Sequence, residues 1–213
     1  MGYMLSEKTM RIIVTAGGTR EYIDPVRFIS NASTGKMGYA IAKAAAEAGH
    51  SVTLITAPVS LEKPKGVEVI DVVTSSDMFE AVKSVFNRTD CLIMAAAVSD
   101  YRPVKTSAKK IKKHQSDLTI TLEPTTDIIK WAGENKSEQI IVGFALEDTD
   151  LLKNAEAKMK AKNMDMIVAN SPAAISSDTS QVHIKIRCSD WISLPEADKS
   201  ATAAKIIEML ERI

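Results

Sequence analysis

The chain has 213 residues, 45% of them hydrophobic and 25% charged, with 27 basic and 27 acidic side chains. That length fits one domain able to bury about 70% of its unfolded surface without a staple. The zero net charge excludes an overall field favouring nucleic acid or an anionic membrane, so any bound anion must be held locally.

The first six residues match the N-myristoylation pattern, but no polybasic patch follows, and residues 1–9 read as a frayed leader. No signal-peptide pattern opens the sequence and no apolar run reaches the roughly 18 residues of a membrane helix, so a cytoplasmic protein is expected. Arg11–Ala16 is a short β-branched run closed by Gly17-Gly18, the pattern of a buried strand ending in a tight turn. Residues 37–48 carry Ala or Ile at most positions and stop at Gly49, as a buried helix with a glycine C-cap does.

Between this strand and helix stands Ser30-Asn31-Ala32-Ser33-Thr34-Gly35-Lys36-Met37-Gly38. Ser33, Gly35 and Gly38 there let hydroxyl and backbone donors approach an anion at the positive end of the helix. The alternative is an ordinary strand–loop–helix whose glycines serve packing only. The segment is not a P-loop, because Ser30 and Met37 stand where that motif needs Gly and a metal-binding hydroxyl. Nor is it a complete dinucleotide fingerprint: Ser33 takes a glycine position, and the next strand, Ser51–Thr56, ends in Ala57-Pro58 without an acid.

Further along, the pattern predicts a strand at 67–73, an amphipathic helix at 77–87 and a fully apolar strand at 91–97. Residues 98–115 carry Arg102, Lys105, Lys109, Lys110, Lys112, Lys113 and His114 with few apolar side chains, and a loop mobile without ligand is expected. An exposed strand at 118–122, a helix from 127, a core strand at 139–145, a charged helix at 148–162 and a strand at 164–169 follow. A polar loop at 170–178 leads to a hairpin formed by 181–187 and 191–194, and Pro195 opens a C-terminal helix ending at Ile213. Cys91 and Cys188 lie far apart in apolar or strand-like stretches and read as reduced core thiols. Strands alternating with helices predict an α/β fold, a Rossmann-like, mostly parallel sheet flanked by helices, with a mobile basic loop and a small β-hairpin extension. Ligands of such sheets sit beyond the carboxyl ends of the strands, which singles out the loops at 17–36, 57–66 and 98–115.

Five separated motifs occur in order: residues 24–38, Ala95-Ala96-Ala97-Val98-Ser99-Asp100-Tyr101-Arg102, Lys110-Ile111-Lys112-Lys113, Gly143-Phe144-Ala145 with Glu147, and residues 163–170. Together, over about 11–212, they resemble the phosphopantothenoylcysteine synthetases, which form the amide bond of coenzyme A biosynthesis. The resemblance implies a ligase that activates 4′-phosphopantothenate as an acyl-nucleotidylate with CTP, or with ATP, releases pyrophosphate, and lets the amine of L-cysteine displace the nucleoside monophosphate. Mg²⁺ would accompany the nucleotide. The chain departs from the commonest bacterial arrangement in having no decarboxylase fused ahead of it, so a separate decarboxylase is expected in the pathway. Gly18 also replaces a proline frequent in the family, a change expected to be without consequence.

Carried over residue by residue, the nucleotide falls to Ser33, Gly35, Gly38, Met94, Ala95, Ala96, Asp100, Lys110, Thr126, Asp127, Ile128, Ile129, Phe144, Lys158 and Lys162. Asn31 and Lys110 are the expected catalytic residues; Asn31, Arg27 and Ala96 the substrate contacts; and Asp100 the candidate metal ligand. Lys158 and Lys162 are four apart and so share a helix face, whether for nucleotide or for solvent. The family is dimeric, so a homodimer is expected, with 118–122 and the 181–194 hairpin as candidate contact strands. A Rossmann-type NADP-dependent oxidoreductase and a non-catalytic nucleotide-binding subunit are the alternatives. The missing acid after the second strand argues against the first, and the presence of Asn31 and Lys110 against the second.

Overall fold

The computed structural model describes residues 9–113, 117–171 and 179–213. The leader at 1–8 with its myristoylation-like pattern, His114 and Gln115 of the basic loop, and residues 172–178 of the polar loop lie outside the described residues.

In chain order the strands are β1 (Arg11–Ala16), β2 (Arg20–Tyr22), β3 (Phe28–Ser30), β4 (Ser51–Thr56), β5 (Glu68–Asp71), β6 (Cys91–Met94), β7 (Tyr101–Pro103) and β8 (Leu122–Pro124), then β9 (Ile140–Leu146), β10 (Met166–Asn170), β11 (Thr179–Ser180), β12 (His183–Ile186), β13 (Ile192–Ser193) and β14 (Ala197–Asp198). The helices are α1 (Lys36–Glu47), α2 (Ser75–Phe86), α3 (Ile128–Asn135), α4 (Leu151–Ala161) and α5 (Lys199–Leu210). Eight strands form one sheet in the order β13-β12-β10-β9-β6-β1-β4-β5. The six strands from β10 to the β5 edge are parallel, and the β12–β13 hairpin adds an antiparallel opposite edge.

Alternation along β1 divides the core. Ile12, Val14 and Ala16 join one cluster with Ile41, Ala45, Ala203 and Ile206, so α1 and α5 cover that face. Ile13 joins the other with Met78, Phe86, Ile128 and Met159, so α2, α3 and α4 cover the opposite face. Each fully buried side chain of this size contributes about 1.5–3 kcal/mol. The helix starts follow local chemistry: Thr74 and Asp77 form a capping box at α2, while the carboxylates of Asp127 and Asp198 cap α3 and α5.

The strand order reverses direction beside β1: the chain builds outward through β4 and β5 on one side and through β6, β9 and β10 on the other. The adjacent carboxyl ends of β1 and β6 therefore diverge into a crevice, the place where doubly wound sheets hold ligands.

Several expectations are corrected. The apolar run at 91–97 leaves the sheet after Met94, because Ala97 turns to pair with Gly18 beyond the end of β1. The alternation at 118–122 is not a strand; the ladder begins at Leu122, where β7 supplies a partner in the register Pro103↔Leu122 to Tyr101↔Pro124. The third strand is shorter than 67–73, and α4 starts at Leu151 rather than 148, after Asp150 in a left-handed conformation (φ 46°). The last strand of the parallel set starts at Met166, and α5 stops at Leu210. Cys91 is buried, as expected, and burial followed by the nearby Asp165 and Asp90 pushes its thiol pKa up. Cys188 is instead exposed, because it sits in the tight β12–β13 turn at φ 63°.

Candidate functional site

A cavity of about 550 Å³ occupies the crevice at the carboxyl ends of β1, β6 and β9. Its floor is set by backbone pairing beyond the sheet. Ala97 N–H donates to the Gly17 carbonyl at 2.8 Å and Thr19 N–H to the Ala97 carbonyl at 3.3 Å. The Thr15 hydroxyl accepts from Ala96 N–H at 3.1 Å, and that of Thr19 from Ser99 N–H at 2.9 Å.

Asn31 ties the third side of the crevice to this ladder. Its Nδ2 donates to the carbonyls of Val98 at 3.0 Å and Ala97 at 3.3 Å. The amide is thus held against the β6 exit loop, on the rim of the cavity, rather than capping a helix. Gly18 belongs to the same junction: a Cβ there would stand 2.7 Å from the Asn31 carbonyl oxygen, so its lack of a side chain does have a packing consequence.

The cradle preceding α1 follows the sequence reading with one change of role. Gly35 is the N-cap, at a left-handed φ of 75° with no side-chain cap. Tyr39 is the first residue to donate into the helix, to the Gly35 carbonyl at 3.1 Å, which leaves the N–H groups of Met37 and Gly38 at the positive end, while Lys36 N–H donates to the Thr34 hydroxyl at 3.4 Å. The Ser33 hydroxyl accepts from Gly35 N–H at 3.3 Å and shapes the turn. Gly38 serves packing: a Cβ there would lie 2.6 Å from the Ala16 Cβ and 2.8 Å from the Thr15 carbonyl oxygen. Its absence lets α1 lie directly on β1.

The opposite wall is an apolar slot with a charged rim. Met94, Ala95, Ala96, Ile128, Ile129 and Phe144 line it together with Met164. Thr126 and Asp127 stand at the start of α3. Lys158 on α4 and Lys162 at its C-cap both reach the cavity wall. Lys158 Nζ pairs with Glu147, and Lys162 Nζ with Asp127 Oδ2 at 2.9 Å. Asp100 lines the cavity and makes no ion pair among the described residues. No group of three His, Cys, Asp or Glu suited to a metal occurs among the described residues, so Asp100 would act as a single carboxylate.

Fifteen of the residues expected at the site thus line one cavity: Asn31, Ser33, Gly35, Gly38, Met94, Ala95, Ala96, Asp100, Thr126, Asp127, Ile128, Ile129, Phe144, Lys158 and Lys162. Arg27 and Lys110 do not line it. They stand together outside, where Arg27 Nη1 pairs with Asp24 at 2.6 Å and also donates to the Ile111 carbonyl at 3.1 Å. The described part of the basic loop is correspondingly tied down. Ser107 N–H donates to the Ile23 carbonyl at 2.9 Å, and the Thr106 hydroxyl to the Tyr22 carbonyl at 3.0 Å. Lining residues the sequence did not single out include Thr125 and Lys199. Lys199 carries no local signal; it arrives because α5 packs along α1.

Comparison with known proteins agrees with this geometry. The profile of the DNA/pantothenate metabolism flavoprotein C-terminal domain family matches residues 7–213. The coenzyme A biosynthesis bifunctional protein CoaBC of Bacillus subtilis is 46% identical over 202 residues, covering 92% of this chain and 50% of that protein. That of Borreliella burgdorferi is 39% identical over 206 residues, covering 95% of this chain and 53% of the relative. The chain therefore spans about half the length of the curated relatives it matches. Among solved structures, the C-terminal domain of a coenzyme A biosynthesis bifunctional protein CoaBC superposes with a TM-score of 0.84 at 38% identity, covering 95% of this chain and 94% of that one. A Cab2 variant in complex with phosphopantothenate-cysteine shares the fold, with a TM-score of 0.80 at 18% identity, over 95% of this chain and 86% of that one. Fold, motif order and matched length agree: the chain belongs to the DNA/pantothenate metabolism flavoprotein C-terminal domain family.

Proposed function

We propose that this protein is a phosphopantothenate–cysteine ligase working through an acyl-nucleotidylate. The observation that carries the reading is a single cavity holding the helix N-terminus with the N–H groups of Met37 and Gly38, the Asn31 amide, and an apolar slot rimmed by Lys158 and Lys162. The helix terminus suits a phosphate chain. The slot between Met94 and Phe144 suits a flat base, with CTP favoured over ATP on the sequence resemblance.

In the first step a carboxylate oxygen of 4′-phosphopantothenate attacks the α-phosphorus, and pyrophosphate leaves. In the second the cysteine amine attacks the acyl carbon, the C–O bond breaks, and the nucleoside monophosphate departs. No protein nucleophile is needed; positioning and neutralisation of growing phosphate charge are. Asn31 orients the acid beside the cradle without adding a competing charge, and Lys110 is assigned to the developing phosphate charge. Ala96 completes the substrate wall, and Arg27 is assigned to the acid's own phosphate. Asp100 fits Mg²⁺, which takes one or two carboxylates plus phosphate oxygens and water, and the ion would neutralise the triphosphate.

A homodimer is part of the proposal. Val26, Phe28, Tyr101, Val104, Leu118 and Leu122 are exposed on or beside the β2–β3 and β7–β8 ribbons, an apolar face that a second copy would cover. A decarboxylase activity supplying the pathway and a cytoplasmic location complete the reading; no helix among the described residues is long and apolar enough to cross a membrane.

The test is incubation with phosphopantothenate, CTP and Mg²⁺, first without and then with cysteine. Pyrophosphate in the first mixture and amide product in the second are expected. No pyrophosphate with either CTP or ATP overturns the reading.

A further inference from the structure

Asp24 belongs to the 24–38 motif but has no role in the reaction above, and its surroundings are unusual. Its side chain is wholly buried, yet it is a carboxylate. A buried carboxylate is retained only where donors surround it, and here there are four. Oδ1 accepts from the N–H groups of Val26 at 2.8 Å and Arg27 at 2.9 Å. Oδ2 accepts from Arg27 Nη1 at 2.6 Å and from Ile111 N–H at 3.1 Å. Burial opposes the charged form, but the N–H groups of Val26, Ile111 and Arg27, then the Arg27 guanidinium, outweigh it and hold the carboxyl below its ordinary value.

The fourth donor gives the cluster its reach. Ile111 is 87 residues away in sequence and is flanked by Lys110 and Lys112. Arg27 Nη1 also meets the Ile111 carbonyl at 3.1 Å, so both polar groups of that residue end at the Asp24–Arg27 pair. Both Arg27 contacts use Nη1, and a guanidinium has two further nitrogens with which to receive an anion. One carboxylate therefore sets the position of an arginine from one loop and of a lysine-bearing backbone from another.

We propose that Asp24 is the positioning residue that locks Arg27 and the Lys110–Lys113 strap into one cationic unit, with Arg27 presented to the phosphate of the acid substrate and Lys110 to the phosphate charge that develops beside it. Asp24 touches no substrate; it acts through Arg27 and Ile111. The substrate part rests on the ligase reading, while the lock itself is tested without it.

The lock is read by limited trypsin cleavage at Lys109, Lys110, Lys112 and Lys113 in the full-length protein, with thermal unfolding as the control for global fold. Asp24→Asn is expected to speed this cleavage about tenfold or more, since a hydrogen bond to a charged group limits local opening. Arg27→Gln, which leaves the three backbone bonds to Asp24 intact, is expected to speed it less, and it decides the matter should the Asp24 variant fail to fold. Unchanged cleavage in the folded variants overturns the lock. Activity then tests the purpose. In Asp24→Asn the KM for phosphopantothenate is expected to rise about tenfold, while pantothenate, which lacks the phosphate, loses only the smaller factor in rate that loosening Lys110 costs both acids. An equal loss on both acids makes Asp24 merely structural and overturns the positioning role. A wild-type protein without ligase activity removes the ligase reading and, with it, the substrate part, while the cleavage arms still judge the lock.

Discussion

The cradle at residues 31–38 and the Arg27–lysine strap both present positive character to anions, one through backbone and the other through side chains. In the cradle the donors are N–H groups of α1, placed by a left-handed Gly35 and by a Gly38 with no room for a Cβ. Around them, carbonyls and N–H groups of 17–19 and 96–98 interlock. In the strap the cations are long side chains whose backbone is held at Ile111 by the Asp24–Arg27 pair. The cradle is therefore sensitive to volume and geometry, and the strap to charge. A protein working as proposed, on a triphosphate and then on an acid of changing charge, has reason to use both: fixed dipoles need no reorganisation, whereas side-chain cations can follow the reacting groups.

The sharpest way to break this comparison is Asn31→Asp, which puts charge into the backbone-built half. Product formation is expected to fall by about 10²–10³, with pyrophosphate release in the absence of cysteine retained; equal activity to wild type removes Asn31 from its role. Gly38→Val probes volume instead. A loss of about 1–3 kcal/mol by urea unfolding is expected from the clash with Ala16 and Thr15, while strap cleavage by trypsin, measured below the unfolding transition, stays unchanged. Lys162→Gln and Lys158→Gln each remove a charge from the far rim and leave Asp127 or Glu147 without its lysine partner. About tenfold weaker nucleotide binding is expected for each, and a shift under twofold would return these lysines to the role of solvated helix surface.

The smallest effect concerns pH and the strap alone. The Asp24 carboxyl is held below its ordinary value in the folded state, so it contributes stability above the ordinary aspartate value of 3.8 and loses it as the pH falls through the depressed one. The stability difference between wild type and Asp24→Asn is therefore expected to shrink below pH 3.8, with the cradle variants showing no such trend. A difference that grows on acidification contradicts the sign.

The cradle was legible because its signals are local: a β-branched strand, two glycines, a hydroxyl pair and an alanine-rich helix lie within 40 residues of one another. The parallel sheet followed from the alternation of such units. The β2–β3 and β7–β8 ribbons were not legible, since three-residue strands have no periodicity to read and exist by virtue of their partners. The same reason moved the strand expected at 118–122 to Leu122–Pro124. The whereabouts of Arg27 and Lys110 were equally hidden, because a hydrogen bond across 87 residues depends on tertiary pairing rather than on spacing. Cys188 misled for a related reason: its neighbours read as a strand, but the hairpin turns at that residue.

The central claim is that the acid's carboxylate attacks the nucleotide's α-phosphorus within the cavity between Asn31 and Lys158. The most direct measurement uses phosphopantothenate carrying ¹⁸O in its carboxylate, with CTP, Mg²⁺ and cysteine, followed by mass analysis of the products. One ¹⁸O atom in the released CMP is expected, because the C–O bond of the acyl-nucleotidylate breaks on the acyl side. Label in inorganic phosphate, with CDP as the nucleotide product, would mean an acyl-phosphate route and contradict the account.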